Sequence, residues 1–398
     1  MQSSHMADSA AARKKIFRRE KPAKKQVRAK RRSIGEMDTA FLLIVLILLA
    51  FGLIMVFSAS YANALYYDHD SLLYIKKQGL FAVVGIVAML LISKIDYRWY
   101  KKFVLPIYLF GLGLLVVVLF FEHNGARRWI NLGPLGTFQP SEYMKLAVII
   151  IFATMIAANY ERMRTGYGFW PFFALLIPVV GLMMLEPHLS GTIIICAIAG
   201  VMMFVGGTKP KYFLLMLAAL AAMVVAVILI KDVSYITSRI HNWLDPFGNE
   251  NIHDKVWQTC QSLIAIGSGG IMGLGLGGSQ QKYLYLPEPQ NDFIFAIVCE
   301  ELGLIGAILV ITLFVLLVYR GFSIANQAPD KFGAMLAIGI TVQIGIQALL
   351  NIAVVTNAIP NTGISLPFFS YGGTALLMQL AEMGILLNIS RHSVIEKP

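Results

Sequence analysis

Charged residues are scarce in this 398-residue chain: Asp, Glu, Lys and Arg together make up 14% of it, against a hydrophobic share of 57%. Soluble domains carry about 25% charged residues, so an ordinary water-facing globular fold is excluded and an all-α integral membrane protein is expected. Cysteine is nearly absent as well. Cys196 and Cys299 lie in apolar runs and Cys260 in a long polar stretch. Three scattered cysteines supply neither a disulfide framework nor a metal site. No G-x-x-x-x-G-K-[ST] motif occurs, which removes a phosphate-cradling nucleotide loop. No cleavable signal peptide is expected, because the first apolar run is too long and starts too late.

What the chain has in quantity is long apolar runs and one basic block. A bilayer core of about 30 Å takes roughly 20 apolar residues in a helix. Ten segments qualify: 40–61, 78–94, 103–121, 142–159, 170–185, 189–206, 212–230, 293–319, 333–355 and 367–389. Residues 1–39 form a basic tail, expected to be disordered, with 12 of the 33 Lys and Arg residues. Such a block beside a first membrane helix fixes topology and touches anionic lipid, so no nucleic-acid partner is expected. Placing the tail inside puts 24 Lys/Arg on the inner side and 8 on the outer, with Lys145 inside a span. Both termini, including the short tail 391–398, are then cytoplasmic, and the large loop 231–292 between spans seven and eight faces outward. Ser3-Ser4-His5-Met6 resembles a cloning scar, which makes Met6 the expected native start.

Several polar residues stand out against this background. Asp292 ends the run Leu286-Pro287-Glu288-Pro289-Gln290-Asn291-Asp292, directly before the apolar Phe293-Ile294-Phe295. An acid there can cap the helix or act as a base at the membrane–water boundary. Glu142 and Lys145 open span four, three residues apart, so they share a helix face and can pair. Ionisable groups at such depth usually point into a cavity or at a partner. Glu300 and Glu301 follow in span eight, Glu300 about 12 Å below Asp292 along a helix. Adjacent residues do not share a helix face, so one of the two is expected to face the cavity and the other a neighbouring helix. Seven glycines between Gly267 and Gly278 alternate with apolar residues. That pattern suits a loop dipping back into the membrane beside protein. A second Gly/Pro-broken segment, Asn361-Thr362-Gly363 and Pro367 through Ser370 to Gly373, leads into the last span.

Read together, these motifs are similar to the SEDS family (shape, elongation, division and sporulation proteins), which includes FtsW, RodA and SpoVE. The resemblance covers roughly residues 38–393. It rests on Gly125-Ala126-Arg127-Arg128-Trp129-Ile130, Gln139-Pro140-Ser141-Glu142, Gln261 to Gly267 with the glycines after it, Tyr285 to Ala296, Glu300-Glu301-Leu302-Gly303, and Pro367 to Gly373. The wording of Gln280-Gln281-Lys282 and Leu286 to Gln290 resembles the FtsW/SpoVE branch. The resemblance implies a peptidoglycan glycosyltransferase in the bacterial cytoplasmic membrane, at the division septum. It implies polymerisation of lipid II at the outer face, with divisome proteins and a class B penicillin-binding protein (a transpeptidase) as partners. Carried over by motif, the family's essential loop aspartate is Asp292, and its span-four pair is Glu142 and Lys145. Where many members read Gln-Pro-Asp-x-Gly-Thr, this chain reads Glu186-Pro187-His188-Leu189-Ser190-Gly191-Thr192, so His188 or Glu186 stands in place of that Asp. Candidates for the leaving pyrophosphate are Lys145, Arg127, Arg128 and Lys282, with Ser370 and Glu300 in the wider network. No cofactor is recognisable; a divalent cation (Mg or Mn) is compatible with the chemistry, and no dedicated ligand cluster is visible. Two alternatives remain beside the enzyme: a lipid II flippase with Glu142 and Lys145 along its path, and a non-catalytic divisome scaffold.

Overall fold

The computed structural model describes residues 35–121, 127–131, 133, 136–186, 188–214, 218, 243–248 and 256–393. The basic tail up to residue 34, most of the seventh predicted span and the last five residues lie outside them.

The described residues form helices almost throughout: α1 Thr39–Asp68, α2 Leu73–Ile92, α3 Val104–Val118, α4 Pro140–Asn159, α5 Gly166–Leu185, α6 Leu189–Val205, α7 Trp257–Gly269, α8 Ile294–Asn326, α9 Lys331–Val355 and α10 Gly373–Arg391. The all-α expectation holds; among the described residues one antiparallel pair of two-residue strands, Ile130–Asn131 with Thr137–Phe138, accompanies the helices. Seven helices among the described residues are long and apolar enough to cross a bilayer, while α3 and α6 are apolar but shorter. The chain is a helical membrane protein. α7 belongs to the long predicted loop.

Helix starts follow local chemistry. Asp38 caps α1 by accepting from Phe41 N–H at 2.9 Å, and Asp330 caps α9 by accepting from Gly333 N–H at 2.8 Å. Pro140 opens α4, where its missing N–H costs nothing. α10 starts at Gly373 rather than at 367, because the segment before it turns through Phe368 at φ 65°.

Burial is uneven, and this decides where polar groups sit. Two-thirds or more of the most apolar stretch of α4, α9 and α10 is buried, against 39% for α1 and 22% for α2. α4 packs on α3 and α9, α10 on α2, and α8 on α1, α7 and α9. The outer helices α1 and α2 expose mainly apolar side chains along their lengths, as a lipid-facing surface requires. The central ones carry Glu142, Lys145, Gln343, Gln347, Asn351, Gln379 and Glu382, all buried. At the end predicted to be cytoplasmic, Tyr97 O–H donates to Asp330 at 2.6 Å and Tyr97 N–H to Asn388 Oδ1 at 2.9 Å, tying the α2–α3 connection to α9 and α10.

Candidate active site

α8 is broken in its third turn. Gly303 has φ 63° and ψ −162°, values outside the helical region and in a part of φ/ψ space that a side chain disfavours. The break frees the carbonyls of Glu300 and Glu301 and the N–H groups of Leu304 and Ile305. The glycine-rich loop satisfies all four. Leu274 N–H donates to Glu300 O at 3.0 Å and Gly275 N–H to Glu301 O at 2.9 Å. In return, Leu304 N–H donates to Gly270 O at 2.9 Å and Ile305 N–H to Ile271 O at 3.3 Å. Broken backbone within a membrane protein persists only where protein or trapped water repairs it, and here the loop does so.

Of the two carboxylates of this half-helix, Glu301 meets a neighbouring helix as expected, at Ser58 of α1, but both also meet one loop. Glu300 accepts from the Ser279 hydroxyl and from Gln280 and Gln281 N–H at 2.9 and 3.3 Å. Glu301 Oε1 accepts from Lys282 Nζ at 2.9 Å, Ser58 O–H at 2.6 Å and Ser279 N–H at 3.4 Å. Residues 279–282 curl around the end of the half-helix, so both of its faces meet the same four residues. Lys282 is buried within this cluster.

Asp292 stands at the other end of the half-helix. It does not cap it: Phe293 occupies the cap position, without a side-chain cap bond. Instead its main-chain carbonyl accepts from Asn351 Nδ2 at 2.7 Å, and the same amide also donates to Ile364 O at 2.6 Å. That fixes Asp292 between α9 and the Asn361–Gly363 lead-in to the last helix. Gly363, at φ +66°, lies against the carboxylate, and a Cβ there would come within 3.2 Å of Oδ2. The carboxylate itself has no hydrogen bond or ion pair among the described residues. Its residue keeps part of its surface open, yet protein surrounds it closely. That burial, helped by the negative charge of Glu288 and opposed by Arg128, pushes its pKa up from 3.8 to about 6.

Arg128 links this acid to the α5–α6 connection. Its Nε donates to the Glu186 main-chain carbonyl at 3.4 Å, and its charge acts on Asp292, Glu186 and His188 alike. Burial raises the Glu186 carboxyl to about 8, against the pull of Arg128. His188 is lowered to about 3, first by burial and then by Arg128 and Lys145. It is therefore neutral at physiological pH, and its Nδ1 lies 3.5 Å from Gln139 Nε2. A neutral imidazole gives Lys145 no counter-charge. Arg127 is exposed beside Arg128.

Lys145 finds its charge partner on its own helix: Nζ lies 2.8 Å from Glu142 Oε2 and donates to Gln347 Oε1 at 2.8 Å. Gln347 Nε2 donates onward to the Ser365 carbonyl and hydroxyl at 3.2 and 3.1 Å. The Lys145 side chain thereby joins α4, α9 and the lead-in to α10. Sequence reasoning missed the rest of this network. Glu382 on α10 is fully buried and takes Gln343 Nε2 on both oxygens at 2.9 Å. Gln343, Gln347 and Asn351 recur every fourth residue of α9, a polar stripe on one helix face. Ser370 serves a local turn: its hydroxyl accepts from Leu366 N–H at 2.7 Å.

The structure thus brings Arg128, Asp292, Glu186 and His188 into one electrostatic neighbourhood, with Lys145 and Glu142 behind His188. It places Lys282, Glu300 and Glu301 in a second cluster. Among the described residues no three His, Cys, Asp or Glu side chains come together as metal ligands.

Known proteins share this architecture. "Stage V sporulation protein E" of Bacillus subtilis is 42% identical over 366 residues, which is 89% of this chain and 97% of that protein. A "Probable peptidoglycan glycosyltransferase FtsW" of Trichlorobacter lovleyi is 40% identical over 362 residues, 90% of this chain and 94% of the relative. Among solved structures, a chain from "Structural coordination of polymerization and crosslinking by a peptidoglycan synthase complex" superposes with a TM-score of 0.75 at 26% identity, covering 90% of this chain and 99% of the other. The rod shape determining protein RodA of Thermus thermophilus superposes at 0.66, also 26% identical, covering 90% and 98%. The family described as "Cell cycle protein" matches residues 38–395; the chain belongs to this FtsW/RodA/SpoVE family.

Proposed function

We propose that the protein is a peptidoglycan glycosyltransferase that polymerises lipid II at the outer face of the bacterial cytoplasmic membrane, with Asp292 as its general base. The observation that carries the reading is the state of the Asp292 carboxylate. It is fixed through its backbone, partly open, without a hydrogen-bonding partner among the described residues, and has a pKa of about 6. A base poised near the working pH combines availability with proton affinity. A structural carboxylate in the same place would have its lone pairs occupied.

The reaction follows from the bonds that change. Lipid II carries an α-linked pyrophosphate and the polymer is β-linked, so one inverting displacement suffices. Asp292 takes the proton of the acceptor GlcNAc 4-hydroxyl as its oxygen attacks the MurNAc anomeric carbon. The bond from that carbon to the pyrophosphate oxygen breaks, and its electron pair leaves with undecaprenyl pyrophosphate. Charge growing on that leaving group needs a cation held in place. Arg128, whose field already reaches Asp292, serves this role together with Arg127. Lys145 holds α4 to α9 below them.

The topology that supports this chemistry has ten spans, a cytoplasmic basic tail and an outward loop carrying Asp292. A class B penicillin-binding protein and divisome proteins are the expected partners, at the septum. The test is purified protein with its transpeptidase partner in liposomes containing lipid II. Glycan strand synthesis that resists moenomycin and disappears in Asp292→Asn supports the reading. Lipid II crossing the bilayer without strand synthesis would replace it with a flippase.

A further inference from the structure

Lys282 is the cation that the proposed chemistry leaves unused. In the sequence, Lys282 is one of four candidates for the pyrophosphate. Its side chain is instead 3% exposed, and its ammonium is fully employed. Nζ donates to Gly277 O at 2.7 Å, to Glu301 Oε1 at 2.9 Å and to Ser58 Oγ at 3.2 Å. An ammonium has three donors, and none remains for a phosphate. Glu301 depends on it in turn. The other carboxylate oxygen, Oε2, is buried without a partner, and Lys282 is the one cation paired with this acid, both among the described residues.

The cluster is the charged part of a set of contacts that fix the segment leading to Asp292. Upstream lie seven glycines between 267 and 278, where the backbone has many conformations and few side chains to define its register. Downstream, Leu284 and Glu288 sit at φ 67° and 44°. Non-glycine residues keep such conformations only where their surroundings over-determine them. Those surroundings are on view: Trp257 Nε1 donates to Tyr285 O at 2.6 Å, Tyr371 N–H to Gln290 O at 2.8 Å, and Asn63 Nδ2 to Gln290 Oε1 at 3.3 Å. The segment is thus pinned to Glu300 and Glu301 at the inner end of the half-helix, threaded past α1 and α7, and delivered to Asn351 at Asp292.

The geometry points to Lys282, Glu301 and Glu300 as positioning residues, a buried charged clamp that sets where the Asp292 carboxylate stands and does not touch the leaving group. This rests on Asp292 being the base. The choice of charge over apolar contact has a physical reason. A buried ion pair adds little net stability compared with a well-packed apolar pair, and its best-attested use is to specify register. A one-residue slip of the loop would cost an apolar contact little, but it would strand both Lys282 and Glu301 without a partner.

The experiment uses the full chain with its transpeptidase partner in lipid II liposomes and compares Lys282→Met, Glu301→Gln, the double variant and Asp292→Asn. Hydrogen exchange across residues 279–292 reads the clamp without needing turnover. Either single change is expected to speed exchange there and to lower kcat by about 100-fold, with KM for lipid II within about twofold of the parent. The double variant, which strands no charge but no longer specifies the register, is expected to regain most of the protection and only about a tenth of the parent kcat. A protected double variant whose KM has risen about tenfold or more would assign Lys282 to the pyrophosphate and overturn the clamp. So would single variants with unchanged exchange, or a double variant that recovers neither protection nor turnover. Asp292→Asn separates the two ideas: retained turnover there ends the base assignment, while the exchange results still judge the clamp.

Discussion

Asp292→Asn should make the protein more stable while removing its activity, and the size of the gain follows from the site. The carboxyl titrates at 3.8 when free and at about 6 in the folded protein, with burial as the leading cause. Keeping it ionised in the folded state therefore costs about 3 kcal/mol relative to the unfolded chain. The sign follows from the raised value. Below about pH 3 the group is protonated in both states and the penalty is absent; it grows as pH rises and is complete above about pH 7. Asparagine removes it. No helix cap is lost in exchange, because the side chain makes no cap bond. In a detergent melt at pH 8, Asp292→Asn should unfold about 3–6 °C above the parent protein, and this lead should shrink to nothing by about pH 3. Lipid II polymerisation should fall by about 10²–10⁴-fold, the worth of a positioned base. A variant that melts lower at pH 8, keeps its full lead at about pH 3, or polymerises at the parent rate would refute the reasoning.

Three further outcomes are expected. The acidic limb of the pH–rate profile should lie near pH 6; Glu288→Gln removes a repulsive charge and should move it down, while Arg128→Gln removes an attractive one and should move it up. Glu142→Ala or Lys145→Ala leaves one charge buried without its 2.8 Å partner and should cost about 3–5 kcal/mol, whereas Glu142→Gln with Lys145→Met should recover most of the melting temperature. A chain starting near Ser33 should polymerise lipid II in vitro close to the full-length rate, because the proposed topology puts the tail across the membrane from Asp292; complete loss in folded, correctly oriented protein would assign the tail a regulatory contact.

Most of the helical framework was legible in the sequence because bilayer thickness imposes a length that composition reveals directly. Nine of the ten predicted segments correspond to described helices, and 212–230 lies mostly outside the described residues. What hydropathy left out is the interruption within a span. Phe295 to Tyr319 reads as one span in spite of Glu300 and Glu301, and the break falls at Gly303. A lone glycine is a weak signal by itself. Its meaning depends on Gly269 to Gly275, some thirty residues earlier, whose backbone groups repair the ladder. Neither segment predicts the break without the other.

The site divides along the same line. Glu142 with Lys145 could be read because partners three residues apart on one helix meet whatever the tertiary fold does. Glu300 and Glu301 were expected to diverge, as they would on a helix flanked by other helices; a loop that wraps the end of a half-helix touches both faces at once. A cap role for Asp292 stayed open beside the base role because sequence places it one residue before an apolar run, and only the backbone dihedrals of Phe293 show that the helix begins later. Glu382 and the α9 stripe went unnoticed for another reason. Gln343, Gln347 and Asn351 carry no charge, so a search for intramembrane ions passes over them, although uncharged amides at four-residue spacing in lipid raise the same question of unsatisfied polar groups. Their spacing shows which face of α9 turns inward, and that face meets Glu382, Lys145 and the Asp292 backbone in turn. In a membrane chain the amides are thus better guides to the buried polar core than the charges, because a charge can leave by snorkelling and a glutamine cannot.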